Sequence, residues 1–149
     1  MFNLEELLPL VVAWVEGQEA RILADGVPLT EVQLADARAM GVSHPERVRV
    51  LRVAKIPMPD HPELVAAGTA AGLMGGTTQG LALRYGIYVR AGAETRDLLA
   101  HELVHTAQYE RYGSVAGFLY AYLTQCLTVG YPTAPLEQEA IRKSEELSD

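Results

Sequence analysis

Two histidines four residues apart with a glutamate beside the first, His101-Glu102-Leu103-Val104-His105, are the residues of this 149-residue chain whose types and spacing carry the most chemistry. On a helix, residues i and i+4 stand one above the other, so both imidazoles can aim a nitrogen at one point about 2.0–2.1 Å from each, the distance at which zinc is held. Glu102 falls about 100° further round the helix. That position suits proton transfer with a water held at the same point better than direct ligation. Chance alone produces such a pattern about once in a hundred chains of this composition. The competing reading is a pair of core histidines satisfied by backbone or carboxylate partners. A charged Glu102 among the uncharged Leu99, Leu103, Val104, Thr106 and Ala107 argues against it.

A catalytic zinc takes three protein ligands and keeps a fourth position for water. Cys126 is the only cysteine, which excludes a thiolate zinc cluster, an internal disulfide and a CxxC redox pair. Gln108 and Arg111 stand where a longer HExxHxxGxxH motif has Gly and His, so the third ligand comes from elsewhere. Apart from the terminal Asp149, the carboxylates after His105 are Glu110, Glu137, Glu139, Glu145 and Glu146. Glu110, about 140° round the same helix from His105, points away.

The segment Pro135-Leu136-Glu137-Gln138-Glu139-Ala140-Ile141, read after the HExxH, resembles the gluzincins, the thermolysin-type class of zinc peptidases, and more closely the minigluzincins, small members that keep the active-site core. The resemblance covers roughly residues 80–141, and residues 1–79 carry nothing diagnostic. It implies Zn2+ as cofactor, His101, His105 and Glu137 as its ligands, Glu102 as general base, and a peptide or protein as substrate. It also implies a zincin-like fold in which an edge strand lies over the HExxH helix and two further helices follow. The geometry agrees: Glu137 falls in the first turn of its helix, where the dipole favours a carboxylate, and Glu139 would point about 200° away. The class usually continues with an Asp that orients one zinc histidine, and Ile141 stands there instead. Another group must orient the histidine, or the site is weak. A catalytically weak zinc-binding module serving a protein partner is therefore the second expectation, and a hydrolase of some non-peptide amide the third.

These residues need elements to hold them. Thr95 or Asp97 starts the motif helix, which continues to Tyr112 and stops at Gly113; Ser114 caps another that continues to Gly130; Pro135 opens a last helix through about Leu147. Gly80–Leu83 and Gly86–Val89 read as a hairpin bending at Arg84, Tyr85 and Gly86, in position for the edge strand that would pair with an extended substrate. Upstream, Asn3 caps a helix over Leu4–Ala24, in which Pro9 is tolerable only near the first turn. Thr30 and Gln33 form a capping box for Glu31–Met40, with Val32, Leu34, Ala35 and Ala39 as its apolar side. Arg47–Ile56 alternates as a strand, and Pro57, Pro59 and Pro62 then exclude regular pairing. Glycines 72, 75, 76 and 80 could permit motion over the cleft, or serve only local turns. Helices, then strands, then helices make an α+β fold with a small mixed or antiparallel sheet, in one domain over 1–149 with an N-terminal part over 1–60 and the metal-site core over about 80–141.

The remaining candidates are weaker. Tyr131, in the loop before the last helix, is the preferred tyrosine for stabilising an oxyanion. His44 and His61 both precede proline and read as surface residues, and Cys126 as a small core residue. The formal net charge of −7 disfavours a nucleic-acid partner. The apolar run Leu7–Val15 is too short to cross a bilayer, and the acidic Glu5 and Glu6 before it are unlike a secretory leader, so a cytoplasmic protein without a membrane partner is expected.

Overall fold

The computed structural model describes residues 3–73 and 78–147. It is an α+β structure in which a four-stranded mixed sheet carries helices on both faces. The chain opens with helix α1 (Leu4–Asp25), strand β1 (Val27–Pro28), helix α2 (Glu31–Ala39) and strand β2 (Arg49–Val53). Helix α3 (Pro62–Ala70) precedes the hairpin β3 (Gly80–Leu83) and β4 (Gly86–Arg90). Helices α4 (Arg96–Tyr112), α5 (Val115–Val129) and α6 (Pro135–Glu145) complete it. The strand order is β1-β2-β4-β3, with β2 and β4 parallel and the other two pairs antiparallel. The chain reaches the far side of β4 through α3, and β3 is left as an edge.

Alternation along the strands divides the core in two. Val50, Ala82, Ile87 and Val89 pack with Leu99, Leu103 and Val104 of α4 and Ala37 of α2. Leu83 and Tyr88 face the other way, onto Val15 and Ile22 of α1 and Phe118 and Leu119 of α5. The sheet is thus held between the motif helix and the N-terminal helix. Among the described residues, no helix is long and apolar enough to cross a membrane.

The ends of the later helices follow local chemistry. Thr95 accepts from the Leu98 amide, Gly113 closes α4 at φ 80°, and Ser114 accepts from the Gly117 amide to start α5. Glycine is favoured at such a left-handed C-terminal position because it has no Cβ to clash. The capping box of α2 and the Asn3 cap of α1 are also present.

Six expectations are corrected. The apolar side of α2 is only partly as expected: Leu34 packs against the core, but Val32 is 66% exposed and Ala35 and Ala39 face outward, while Asp36, Ala37 and Met40 turn inward. Arg96 draws that face in, since its guanidinium holds Asp36 at 2.8 and 2.9 Å. The strand expected over Arg47–Ile56 is shorter, because Pro45–Arg47 forms a 3-10 turn before it. The proline-rich stretch contains α3, with Pro62 in its first turn and His61 accepting from the Glu63 amide. Proline suits that position, where the missing N–H has no partner to lose. That helix also interrupts the expected grouping of the strands. Pro9 sits in the second turn of α1 rather than the first, on an exposed stretch where water can satisfy the freed carbonyl. The hairpin bend is two residues, Arg84 and Tyr85, since Leu83 already pairs with Gly86. Gly75 and Gly76 lie outside the described residues.

Candidate metal centre

Two helices bring three side chains to one point. α4 presents His101 and His105 one turn apart with ring centroids 5.0 Å apart. α6 packs across α4 and delivers Glu137 from its first turn. That start is fixed from outside the helix: no side chain of Ala134 can cap it, and Gln125 of α5 accepts from the Leu136 amide at 2.9 Å. The Glu137 carboxylate meets His101 Nε2 at 2.6 Å and His105 Nε2 at 3.0 Å. One ligand atom from each residue lies within 4.8 Å of the other two.

The donor set fits a zinc ion of the open, three-ligand kind. Two imidazole nitrogens and one carboxylate are the ligands zinc takes where no thiolate is at hand. A bound metal would take the place of the protons that now bridge the two histidines to Glu137.

Electrostatics inside the cluster follow from burial and pairing. Burial works to raise the Glu137 pKa, but hydrogen bonds from His101 and His105 overcome it and hold the carboxyl well below the usual range. Burial works to lower the His105 pKa, and the contact with Glu137 together with the Glu102 charge reverses that and raises it. Glu102, 6% exposed, is pushed upward by burial against the pull of both histidines. A carboxylate moved up from its ordinary value is better matched to taking and returning a proton near neutrality.

Glu102 also touches the sheet edge. Its carboxylate accepts from the Ala82 backbone N–H, and its Oε2 lies 3.0 Å from where a Cβ on Gly80 would stand. Pairing in the hairpin alternates, and the Arg90 amide already bonds the Gln79 carbonyl, so Gly80 and Ala82 turn their backbone groups outward from β4. The outward edge, Glu102 and both histidines all line a cleft of about 690 Å3. Its other walls are apolar, from Leu7 and Trp14 of α1, Leu64 of α3 and Leu119 and Leu123 of α5.

The remaining candidates find definite places. Glu110 is turned to the opposite side of α4 as expected, where it accepts from the Ser43 and His44 amides and the Tyr85 hydroxyl. Glu139 also points away from the cluster, into a pair with Arg111. Tyr131 brings its hydroxyl to 3.4 Å from Glu137 Oε2. His44 and His61 are exposed and Cys126 is buried beside Ala71 and Ala134.

Two residues at the site escape sequence reasoning. Tyr122 donates to Glu137 Oε1 at 3.0 Å, and nothing in its sequence neighbourhood separates it from the other tyrosines. Burial pushes the pKa of both Tyr122 and Tyr131 up, so each stays a neutral donor. Gln108 is the other. Its Oε1 meets His105 Nδ1 at 2.8 Å, three residues along the same helix, a spacing legible once His105 is a ligand.

Comparison of the chain with protein-family models, curated proteins and solved structures gives no match.

Proposed function

We propose that the protein is a zinc-dependent peptidase of the gluzincin type, with His101, His105 and Glu137 as zinc ligands and Glu102 as general base. The observation that carries this reading is the convergence of the three ligand atoms within 4.8 Å, on the wall of a cleft that also holds Glu102 and an outward-facing strand edge. When bound, zinc supplies a Lewis acid that makes water nucleophilic near neutral pH. An extended peptide would add to β3 through the outward N–H and carbonyl of Gly80 and the Ala82 carbonyl, the Ala82 N–H being held by Glu102, and its apolar side chains would enter the cleft. Glu102, next to that edge, takes the proton of the attacking water and returns it to the leaving amine. Tyr131, whose hydroxyl is only loosely held at 3.4 Å from Glu137 Oε2, is the neutral donor for negative charge developing on the carbonyl oxygen, while Tyr122 keeps its proton on Glu137.

The test is direct. Protein purified without added metal should carry close to one zinc per chain, and a mixed peptide library should be cleaved. Glu102→Gln should keep the zinc and lose roughly 10²–10⁴-fold in rate. Zinc loss in Glu102→Gln would make Glu102 a ligand. Zinc retained with no cleavage by the parent would favour the second reading, a zinc-binding module that serves a protein partner, for which Ile141 in place of an orienting Asp is the supporting observation.

A further inference from the structure

Ile141, directly after Ala140, offers no carboxylate to orient a zinc histidine. We infer that Gln108 fills this role, holding a proton on His105 Nδ1 so that Nε2, which donates to Glu137 when no metal is bound, is the nitrogen left to a metal, and that Gln108 is itself held by Leu136 and an Arg111-braced Glu139.

An amide can accept or donate, so the assignment depends on what stands behind it. Gln108 is fully buried. Its Nε2 lies 2.9 Å from the Leu136 carbonyl oxygen and 2.8 Å from Glu139 Oε1. Neither of those atoms can donate, so the nitrogen must face them and donate to both. The flipped amide would set its buried oxygen against two acceptor oxygens with no proton between them, a repulsion the orientation present avoids. With its nitrogen committed, Gln108 offers His105 only an acceptor. A ring nitrogen 2.8 Å from an acceptor carries the proton, which places it on Nδ1. The second acceptor is fixed in turn, because Arg111 holds Glu139 at 2.8 and 3.2 Å. A neutral amide therefore does what a carboxylate beside the histidine does elsewhere. The negative charge is kept one residue further out, where Arg111 compensates it.

Gln108 and Glu139 are positioning residues, and exchanging their donor and acceptor character tests them. In Gln108→Glu a second carboxylate faces Glu139 with no proton between them. In Gln108→Glu with Glu139→Gln the amide donates from the α6 side, and Glu at 108 still accepts from His105. The first readout is the His105 ring in ¹⁵N NMR of metal-free and zinc-loaded protein. A slowly exchanging Nδ1–H is expected in the parent and in the double variant, and its loss in Gln108→Met. The second is zinc affinity by chelator competition: roughly 10–100-fold weaker in Gln108→Met and Gln108→Glu, with most of it recovered in the double variant.

This inference rests on the proposed metal site only for the affinity readout. A parent that takes up no zinc would end the peptidase reading while the Nδ1–H signal still judged the lock. A zinc-loaded parent protonated on Nε2, parental affinity in folded Gln108→Met, or no recovery in the double variant would overturn it.

Discussion

Two glutamates, Glu19 and Glu137, are almost equally buried, at 3% and 1% exposure, and each is saturated with partners. Their surroundings differ in kind. Glu19, on α1, receives the Arg84 guanidinium on both oxygens at 2.8–3.2 Å and the Tyr85 amide at 3.0 Å. This set pins the hairpin bend, where Arg84 adopts φ 62°, a left-handed conformation that costs a non-glycine residue about 1 kcal/mol. Neither Glu19 nor Arg84 lines the cleft. Glu137 is held by two imidazoles and two phenols, all at the cleft wall. An arginine has no lone pair to give, whereas each imidazole can exchange its proton for a metal. Burial and pairing alone therefore do not mark a site; partners that can change roles, next to open space, do.

The largest effect expected from this contrast is on metal. Glu137→Gln should weaken zinc binding by at least about 100-fold, because the amide offers a poor ligand while still filling the space. Metal-free Glu137→Gln should stay within about 1 kcal/mol of the parent by urea unfolding, since the amide can still hydrogen bond. Glu19→Ala should do the reverse. It leaves Arg84 without its carboxylate and the Tyr85 amide unpaired, and should lower stability by about 2–3 kcal/mol, below the usual 3–5 for a buried pair because Arg84 keeps some contact with water. The zinc affinity of the folded Glu19→Ala protein should be unchanged. Similar zinc loss in both variants would erase the distinction.

A smaller effect should reach the chemistry without the metal. A Cβ on Gly80 would sit 3.0–3.1 Å from the Glu102 carboxylate and Leu98, so Gly80→Ala must push Glu102 by a few tenths of an ångström. We expect a loss of about 10-fold in kcat/KM with zinc content unchanged, since small misplacements of a reacting group are costly in rate. Unaltered kcat/KM would mean that Glu102 does not act from the position next to β3.

The contrast also explains what the sequence makes legible. Thr95, Gly113, Ser114 and Pro135 act on neighbours within a turn, so the last three helices can be read locally. His101, Glu102 and His105 are legible for the same reason, while Glu137 depends on the resemblance to place it among several carboxylates. The Glu19–Arg84 pair spans 65 residues and the Glu139–Gln108 contact 31, and no local pattern encodes such distances. The inward turn of Asp36 on α2 is not legible locally because its partner Arg96 lies sixty residues on. Glu139 points away from the cluster as its spacing predicts, but spacing does not reveal the amide that links it to His105.

The smallest prediction separates the two glutamates by pH. In the metal-free protein His105 has its pKa raised from 6.5, and such a group stabilises the fold fully below its unfolded pKa. That contribution is lost as pH rises through the folded value, so stability should fall from about pH 6.5 upward. Glu137, shifted down from 4.5, stabilises above that value and loses its contribution only as pH falls toward its folded pKa, leaving the alkaline slope to His105 and to Glu102, whose raised pKa acts in the same direction. Arg84 adds nothing to this slope, because its contact with Glu19 raises its pKa and it stays charged throughout. Urea unfolding of metal-free protein between about pH 6 and 9 should therefore show a decline that Glu137→Gln flattens and Glu19→Ala leaves intact at lower overall stability. Saturating zinc should also flatten it, since ligation has already removed the proton from His105 Nε2. A decline that persists in Glu137→Gln would assign the slope to another group and remove the titrating partner that distinguishes the two carboxylates.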